Sequence, residues 1–565
     1  MAAAGHVNMM DDVLISNLPP VLLRSALRTL VSQGSTTQQP FVAHIRKRLQ
    51  EAPPPFIDAS ELFPQPSVVS PACSEYIAST RCVFSSKLAT EALPYLTHFV
   101  NAILEAKATW ALGDELDKVF DTFSGDIVQA VQALKESKPT TTTELLDLLQ
   151  ALLTSFNGCA TYCADSALKY PFARAERQVR DVVGFLYPAV TLAPSAAHKP
   201  ISVDLTRRQV NIETFRVGPY SMPRLFNGLW QLSSPAWGSG SAESQEAALT
   251  GLVEDGLSAA DMADHYGDAE LIYGEFRSRL PAEIRETVYA ATKWCIFGPL
   301  NGPVTEDFVL EGIKERSRRL GGRVELLQFH WYDYASKEYL DVLVELVKAT
   351  KTHPELVSTI GLCNFDADHT EEACKYVLEK TGEVGLVSNQ VQFSLIDSRP
   401  LQKMSAVCEK YGVKLLTYGS FCGGFISPKW LGQPVPEIYS EASRLTPSQR
   451  KYFDMLQNWG TWSDFQILLE TLAAIAKKHG PEISLTNVAT RWVLQQSAVG
   501  AVIVGTRLGV SSHASDNLNV FKFQLDEGDM AAINEVALGN VPDRVRAKTV
   551  FMKLGDCGNE YRAMH

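Results

Sequence analysis

The chain has 565 residues, with 52 Lys and Arg against 64 Asp and Glu, so its formal net charge is −12. This length is too great for one ordinary domain and predicts two or three. The acidic balance argues against a nucleic-acid partner, because such a partner selects a basic face. A hydrophobic share of 45% and a charged share of 21% are typical of a globular protein and exclude a disordered chain.

The ten cysteines are scattered and include no C-x-x-C pair, which is typical of reduced thiols in the cytosol. Residues 1–12 have neither the basic start nor the apolar run of a secretory signal. No stretch of the sequence reaches the ~20 apolar residues that a membrane span needs. We therefore expect a cytoplasmic protein without a membrane span.

Residues 1–200 have the pattern of a mainly α-helical domain. Apolar side chains repeat at helical spacing behind Pro19 and Pro20, which suit a first helical turn. Further helices are predicted at residues 88–112, 114–136, 140–156 and 159–186. Cys159 and Cys163 have helical spacing without other metal ligands nearby, which indicates two buried thiols and no zinc site. No catalytic group of residues is visible in this part, and its role stays open.

Residues 191–200, rich in Ala, Pro and Ser, mark the boundary to a second domain at residues 201–565. From there, short apolar runs alternate with helical patterns. The alternation predicts parallel strands with helical crossovers, and eight such units are the number that closes a barrel. The fold class is thus predicted as α/β, a (β/α)8 TIM barrel preceded by a mainly α-helical N-terminal domain. An open doubly wound sheet is the alternative, but no G-x-G-x-x-G follows the first strand.

The barrel elements are predicted in chain order from this alternation. Strands are predicted at residues 224–229, 257–260, 287–292, 324–329, 357–362, 386–391, 414–417 and 501–504. Helices are predicted at residues 244–255, 269–279, 305–318, 338–350, 368–380, 402–411, 465–479, 485–495 and 512–518. The insertion at residues 422–463 is expected to form a lid over one side of the barrel.

Three successive strands are predicted to end at polar side chains: Asp261 with Tyr266 on its loop, then Lys293, then His330. Because a barrel brings the carboxyl ends of its strands to one face, these side chains should converge. An adjacent ammonium lowers the pKa of a phenol, and a carboxylate keeps the lysine charged. Tyr266 is then a usable general acid for a carbonyl oxygen that His330 directs toward it.

This set of residues predicts carbonyl chemistry and excludes two other classes. It contains no nucleophile–base pair, and it contains no metal set, so no metal site is predicted. The component that it lacks is a hydride, which a nicotinamide cofactor would supply.

Residues 220–540 resemble the aldo-keto reductase superfamily. The motifs are Asp-Met-Ala-Asp-His-Tyr-Gly at residues 261–267, Ala-Thr-Lys-Trp around Lys293 and Leu-Gln-Phe-His-Trp around His330. The resemblance implies an eight-stranded α/β barrel with a catalytic tetrad, here Tyr266, Lys293, Asp261 and His330. The segments at residues 261–267, 327–334 and 388–392 and the tail at residues 555–562 look like a branch of the superfamily known in plants and fungi. The implied activity is NAD(P)H-dependent reduction of an aldehyde, ketone or sugar-like carbonyl, or oxidation of the alcohol.

The resemblance also implies the cofactor site. Asn364 and Gln390 would hydrogen-bond the carboxamide, and Tyr418 would stack on the nicotinamide ring. Gly419 and Ser420 would approach the pyrophosphate. The adenosine part would lie at Gly505, Thr506, Arg507, Asp516 and Asn517. Arg507 is the only fixed cation nearby that could bind a 2′-phosphate. NADPH is favoured mainly because members of the family commonly use it, and NADH stays possible.

Two functions from different classes stay open. The first is an active reductase or dehydrogenase with a small-molecule carbonyl or alcohol substrate. The second is a cofactor-binding regulatory or redox-sensing subunit, as in the potassium-channel β subunits of this superfamily, which would work through its helical N-terminal domain. Trp230, Trp237 and Trp331 lie near predicted strand ends and suit either barrel packing or the walls of a substrate pocket.

Overall fold

The computed structural model describes residues 9–65, 67–192, 199–207, 210–233, 240–300, 302–438, 445–539 and 543–562. The first part of the chain is helical, and its longer helices begin at residues that cap them. Asp114 accepts a hydrogen bond from the Asp117 backbone amide (2.8 Å), and Thr142 accepts one from that of Leu145 (3.2 Å). The helices of this part are α1 (Met9–Asn17), α2 (Pro20–Val31), α3 (Ser35–Glu51), α4 (Ala59–Leu62), α5 (Pro71–Ser85), α6 (Ala89–Glu105), α7 (Glu115–Glu136), α8 (Thr143–Asp165) and α9 (Ala173–Leu186).

Helix α8 is longer than the sequence predicted. The predicted break at residues 157–158 is wrong, because α8 continues to Asp165 and the next helix begins at Ala173. Gly158 serves close packing instead of a break, since a Cβ there would lie 3.1 Å from the side chain of Leu104 on α6. The chain turns out of α8 at Ala167, which has a φ of 53°.

The rest of the chain alternates strands and helices. The strands are β1 (Thr214–Val217), β2 (Tyr220–Pro223), β3 (Leu225–Gly228), β4 (Ala259–Asp261), β5 (Tyr289–Ile296), β6 (Val324–Trp331), β7 (Val357–Cys363), β8 (Leu386–Gln392), β9 (Lys414–Tyr418) and β10 (Val499–Gly505). The helices are α10 (Ala242–Glu254), α11 (Ala269–Ser278), α12 (Ala282–Arg285), α13 (Glu306–Arg319), α14 (Glu338–Thr352), α15 (Ala367–Thr381), α16 (Met404–Tyr411), α17 (Pro447–Trp459), α18 (Trp462–His479), α19 (Leu485–Leu494), α20 (Ala514–Leu518), α21 (Glu527–Asn534), α22 (Val545–Leu554) and α23 (Asn559–Arg562).

Eight parallel strands close into a barrel in the order β10-β3-β4-β5-β6-β7-β8-β9. The predicted fold class, a (β/α)8 barrel preceded by a mainly α-helical part, is confirmed. The antiparallel hairpin of β1 and β2 was not predicted. It covers the amino-terminal end of the barrel, where Val217 and Met222 pack against inward side chains such as Leu326. That plug leaves the opposite end, at the carboxyl ends of the strands, as the open face.

The described residues contain two large hydrophobic cores. One is formed by buried residues between Ala59 and Val183, and the other lies between the barrel strands and their surrounding helices. This separation supports a division into residues 1–200 and 201–565, which we propose as the domain organisation. Most of the predicted boundary, residues 193–198, lies outside the described residues. No helix in the described part of the chain combines the length and apolar character needed to cross a membrane.

Candidate active site

The open end of the barrel holds a cavity of about 650 Å³. Its volume falls within the range of about 300–1,000 Å³ that is usual for small-molecule sites. The predicted site residues that line it are Trp230, Asp261, Tyr266, Lys293, His330, Asn364, Gln390, Tyr418, Gly419, Ser420, Gly505, Thr506, Arg507 and Asn517. Fourteen of the sixteen candidate residues are therefore brought together in one cavity.

The floor of the cavity is a buried ion pair between neighbouring strands. Lys293 Nζ donates to Asp261 Oδ2 (2.6 Å) and to the Met262 carbonyl oxygen (2.8 Å). The second carboxylate oxygen, Oδ1, accepts from the side-chain amides of Gln328 (2.8 Å) and Gln390 (2.7 Å). Burial lowers the pKa of Lys293, and Asp261 raises it, with a net increase above its ordinary value. The lysine is accordingly held as an ammonium ion at neutral pH.

Lys293 and His330 are placed by strands that are longer than predicted. Strand β5 continues to Ile296 and β6 to Trp331, so both residues lie within strands and not after them. They reach the cavity because side chains alternate between the two faces of a strand. Lys293 and His330 occupy inward positions, and both are almost fully buried.

Tyr266 lies on the loop between β4 and α11, directly above the ion pair. Lys293 Nζ is 4.8 Å from the centre of its ring. Burial raises the pKa of Tyr266 and Lys293 lowers it, and the net shift is upward. The sequence predicted only the lowering by the ammonium. Desolvation exceeds it here, so the phenol remains protonated across the neutral range.

His330 faces the same space from β6. Its ring lies 5.3 Å from that of Phe297, which is 41% exposed on the segment after β5. His265 packs edge-on against Tyr266 at 4.8 Å and against Phe297 at 5.3 Å. An imidazole, a phenol and an aromatic wall thus surround the position above Lys293.

The residues expected to hold a carboxamide are present but are engaged with one another. Tyr418 donates its hydroxyl to Asn364 Oδ1 (2.9 Å), and the Asn364 backbone amide donates to the Gln390 carbonyl oxygen (2.8 Å). The Gln390 side chain donates to Asp261 and to Gln328 Oε1 (2.7 Å). Gln390 therefore supports the buried carboxylate at the floor in addition to any contact with a ligand.

Glycine at position 419 keeps the cavity wall free of a side chain. Gly419 has a φ of 75°, and a Cβ there would lie 2.3 Å from the hydroxyl of Tyr452. Any other residue would meet both the left-handed backbone and this hydroxyl. The backbone of the Tyr418–Ser420 segment consequently faces the cavity closely.

Two of the predicted residues lie elsewhere. Asp516 is not part of the cavity lining among the described residues, and its carboxylate accepts from Ser484 Oγ (3.4 Å). Trp331 is only 1% exposed and packs outside the barrel, near Tyr339 on α14 (6.2 Å between rings). Assigning Trp331 to the pocket is wrong, because it follows the inward-facing His330 and must point outward. Trp237 lies outside the described residues.

Several residues of the site were missed by the sequence reasoning. Gln328 is two positions before His330 and so shares its inward face, a signal that strand periodicity offered. Cys295 lies two positions after Lys293 and shares the inward face of that residue in the same way. Phe297 carried no such signal, because it lies beyond the end of β5.

The C-terminal tail contacts the loop that carries Asn364. Arg562 donates to the Asn364 carbonyl oxygen (2.8 Å) and to the Tyr334 hydroxyl (3.0 Å). Gly558 allows this approach, since a Cβ there would lie 2.0 Å from the same carbonyl oxygen. The Asp556 carboxylate accepts from the Ala367 backbone amide (3.0 Å) at the start of α15. The tail thus supports one wall of the cavity.

Asp264, His265 and Cys295 bring possible metal-ligand atoms within 4.8 Å of one another. The carboxylate in this group already has a cation. Asp264 pairs with the Arg316 guanidinium and also accepts from the Cys295 backbone amide (3.1 Å). The geometry is that of a paired carboxylate at the rim of the cavity.

Comparison with known proteins gives the family. The model described as "Aldo/keto reductase family" matches residues 224–538. The chain belongs to this family. The resemblance of the motifs to this family is thereby confirmed.

Two proteins and one solved structure illustrate the similarity. A stretch of 211 residues is 30% identical to flagellar radial spoke protein 5 of Chlamydomonas reinhardtii, covering 35% of this chain and 36% of that protein. The match therefore spans about a third of that relative's length. A stretch of 300 residues is 23% identical to the uncharacterized oxidoreductase YrpG of Bacillus subtilis (strain 168), covering 51% and 85%. The crystal structure of a thermostable aldo-keto reductase, Tm1743, in complex with the inhibitor epalrestat has 20% identity and a TM-score of 0.41, covering 58% and 98%.

Proposed function

We propose that this chain is an NADP(H)-dependent oxidoreductase that interconverts a carbonyl compound and its alcohol, with Tyr266 as general acid and base. The observation that carries the proposal is the position of the Lys293 ammonium, 2.6 Å from Asp261 Oδ2 and 4.8 Å from the Tyr266 ring. A buried, fixed positive charge beside a protonated phenol suits proton transfer to a carbonyl oxygen.

The cavity also fits a nicotinamide dinucleotide. Its lining includes Lys293 at the floor, the bare backbone at Gly419, and Arg507 and Asn517. A mainly apolar cavity with a few polar groups and cationic side chains suits a ligand that has both a ring and phosphates. Asn364, Gln390 and Tyr418 would hold the nicotinamide end. Arg507 would meet a 2′-phosphate, which favours NADPH, and NADH remains the alternative.

The residues of the chain divide the chemistry among them. When bound, the nicotinamide supplies or accepts the hydride at the substrate carbon. Tyr266 donates its proton to the carbonyl oxygen in the reduction and takes it back in the oxidation. His330 orients that oxygen toward the phenol. Lys293 stabilises the phenolate left after transfer, and Asp261 keeps Lys293 charged and in place.

The substrate that we propose is a small aldehyde, ketone or sugar-like carbonyl compound. The cavity lining includes the rings of Trp230, Phe297 and His265, so the group next to the carbonyl would contact rings. The sugar-like alternative would use the polar edges of the same cavity. A panel of substrates that includes both kinds separates them by kcat/KM.

The test is to mix the purified protein with NADPH or NADH and a panel of aldehydes, ketones and sugars, and to follow the cofactor absorbance. The proposal expects cofactor oxidation with at least one compound and tighter binding of NADPH than of NADH. Arg507→Met should remove most of the preference for NADPH, whereas Lys348→Met on the outer helix α14 should leave it unchanged. Cofactor binding without oxidation across the whole panel would contradict the enzymatic role.

A second candidate function is a cofactor-dependent regulatory subunit. It is favoured by direct contacts between the helical domain and the loop of Tyr266, such as the bond from Gln132 Nε2 to the Asp264 carbonyl oxygen (3.2 Å). The name of the Chlamydomonas relative, a flagellar radial spoke protein, assigns that protein to a larger assembly. Under this alternative, NADPH would bind without turnover, and its oxidation state would change the affinity for a protein partner of the helical domain.

A further inference from the structure

The loop that carries Tyr266 is contacted from outside the barrel. Helices α7 and α9 of the N-terminal part lie against residues 264–268, and the close contact is visible at Gly267. A Cβ at Gly267 would lie 3.1 Å from the side chain of Val128 on α7. Gln132, one helical turn further along α7, donates to the Asp264 carbonyl oxygen (3.2 Å). The segment on both sides of Tyr266 is thus packed against α7.

Asp268 lies two residues after Tyr266. The negative charge of its carboxylate is balanced by arginines of the N-terminal part. Its carboxylate is fully buried, and Arg174 Nε on α9 lies 2.8 Å from each carboxylate oxygen. Arg177, also on α9, lies 4.0 Å from the same carboxylate. A buried carboxylate needs such partners, because desolvation without pairing costs several kcal/mol. The start of α11, and with it the end of the Tyr266 loop, is therefore fixed by a residue of another domain.

A second buried ion pair also holds the loop. Arg319 at the end of α13 donates to the Gly267 carbonyl oxygen (3.1 Å) and to Glu270 Oε2 (2.8 Å). The same guanidinium forms an ion pair with Asp181 on α9. Arg319 is about 1% exposed, so its orientation depends on these partners. The helical domain thus positions an arginine that in turn holds the loop.

The same helices also hold the segment after β3. Arg174 Nη2 donates to the Leu232 carbonyl oxygen (2.7 Å), and Gln129 Nε2 donates to that of Ser233 (3.0 Å). This segment carries Trp230, which lines the cavity. Arg174 therefore bridges two separate loops, the one that carries Tyr266 and the one that carries Trp230.

We propose that Arg174 is a positioning residue for the reaction and that the helical N-terminal domain serves to hold the Tyr266 loop and the Trp230 segment in their reactive arrangement. This inference rests on the proposed role of Tyr266 as general acid. Displacement of a catalytic group by about 1 Å lowers the rate on the order of 10²-fold, so a clamp of this kind acts on kcat. The cofactor residues Asn364, Tyr418 and Arg507 lie on other loops and should not respond.

The test compares four variants of the full chain with the wild type, one of them the conservative Arg174→Lys. Arg174→Gln removes the bidentate contact with Asp268. The double variant Arg174→Gln/Asp268→Asn also removes the clamp but leaves no unpaired buried charge, so it guards against simple loss of folding. Lys135→Met is the matched control, because Lys135 forms an interdomain ion pair with Glu315 and is 11% exposed, yet contacts no residue of the 264–268 loop in the described structure. For each protein, kcat, KM, the Kd for NADPH and the pH profile are measured.

We expect a decrease in kcat of about 10- to 100-fold for both Arg174 variants, with the Kd for NADPH within about twofold of the wild type. The pH profile should change with them, because both the burial of Tyr266 and its distance from Lys293 affect the pKa of the phenol. Lys135→Met should keep the wild-type kcat, and Arg174→Lys, which retains the charge, should recover part of the rate. If both Arg174 variants keep the wild-type kcat and pH profile, the positioning role is wrong while the proposed function stands.

A separate readout applies if the wild type itself has no turnover, which would contradict the proposed function. Hydrogen exchange of backbone amides in residues 262–272 then reports on the loop directly. The positioning role expects faster exchange there in the Arg174 variants and not in Lys135→Met. Equal exchange in all the proteins would overturn the positioning role as well.

Discussion

Lys293 Nζ lies 2.6 Å from Asp261 Oδ2, and neither side chain is more than 4% exposed. Burial on its own would favour a neutral lysine, so the carboxylate is the reason that the ammonium persists beneath Tyr266. Two glutamine amides satisfy the other carboxylate oxygen, which leaves Oδ2 for the lysine. The ion pair therefore keeps a positive charge next to the Tyr266 phenol.

Lys293→Met should therefore reduce activity without abolishing cofactor binding. Removal of the ammonium deprives the Tyr266 phenolate of its stabilising charge, and we expect kcat to fall by about 10²–10⁴-fold. The Kd for NADPH should change little, because Asn364, Tyr418 and Arg507 remain. Steady-state rates and cofactor titration measure both quantities, with Lys348→Met on the protein surface as the control. A wild-type kcat in Lys293→Met would show that the charge is not used.

The pKa of Tyr266 predicts opposite pH dependences for the two directions. Burial raises this pKa, Lys293 lowers it, and the net value lies above the ordinary ~10 of a phenol. Reduction needs the protonated phenol, so its kcat should be flat up to about pH 10 and fall only above that. Oxidation needs the phenolate, so the kcat of the oxidation should rise by about tenfold per pH unit up to about pH 10. A reduction rate that declines between pH 7 and pH 8 would contradict this assignment.

The fold was largely predictable, and the site was predictable where it depends on periodicity. Alternating strand and helix patterns predicted the barrel, and residue spacing brought Asp261, Lys293 and His330 to one end. The hairpin of β1 and β2 escaped prediction because two four-residue strands carry too short a pattern. The error at Trp331 came from using proximity to a strand end instead of the alternation of side chains. Contacts between distant segments, such as Arg174 with Asp268, leave no local pattern and required the structure.

The C-terminal tail should affect cofactor binding through Arg562. Its guanidinium donates to the Asn364 carbonyl oxygen (2.8 Å) and lies over the Tyr334 ring, 4.4 Å from its centre. Arg562→Met should raise the Kd for NADPH by about tenfold, since a hydrogen bond of a charged group contributes ~1.5–3 kcal/mol. In the double variant with Asn364→Ala, the two effects should not add, because both act on one contact.

The matched control for the tail is Lys553→Met on α22, whose ammonium donates to the Asn458 carbonyl oxygen (3.2 Å) away from the cavity. Fluorescence titration with NADPH gives the Kd of the wild type, of Arg562→Met and Asn364→Ala, of their double variant, and of Lys553→Met. Equal Kd values for Arg562→Met and Lys553→Met would mean that the tail does not support the Asn364 loop.

Arg319 should be a main contributor to stability at the interface of the two domains. Arg319→Met would leave Asp181 and Glu270 buried without their shared cation, and we expect the free energy of unfolding to fall by ~3–5 kcal/mol. Lys348→Met, at an exposed pair with Glu345, should cost less than about 1 kcal/mol. Urea denaturation at pH 7 measures both, and equal midpoints would contradict the prediction.

The same pair gives a pH dependence of stability. Burial raises the pKa of Asp181, but Arg319 and Arg318 lower it more, so the net value is below the ordinary ~3.9 of an aspartate. The contribution of this pair to stability should be complete above about pH 4 and be lost as the pH falls below that value. The difference in the free energy of unfolding between the wild type and Arg319→Met should thus become smaller as the pH falls below about 4.

The central claim is that the Tyr266 hydroxyl transfers the proton, and the most direct test is a single-turnover measurement on Tyr266→Phe. The variant is loaded with NADPH, mixed with the best carbonyl substrate, and followed by cofactor absorbance. We predict a hydride-transfer rate about 10²–10⁴-fold below that of the wild type, with the Kd for NADPH within about twofold. A transfer rate equal to that of the wild type would contradict the assignment of Tyr266 as the general acid.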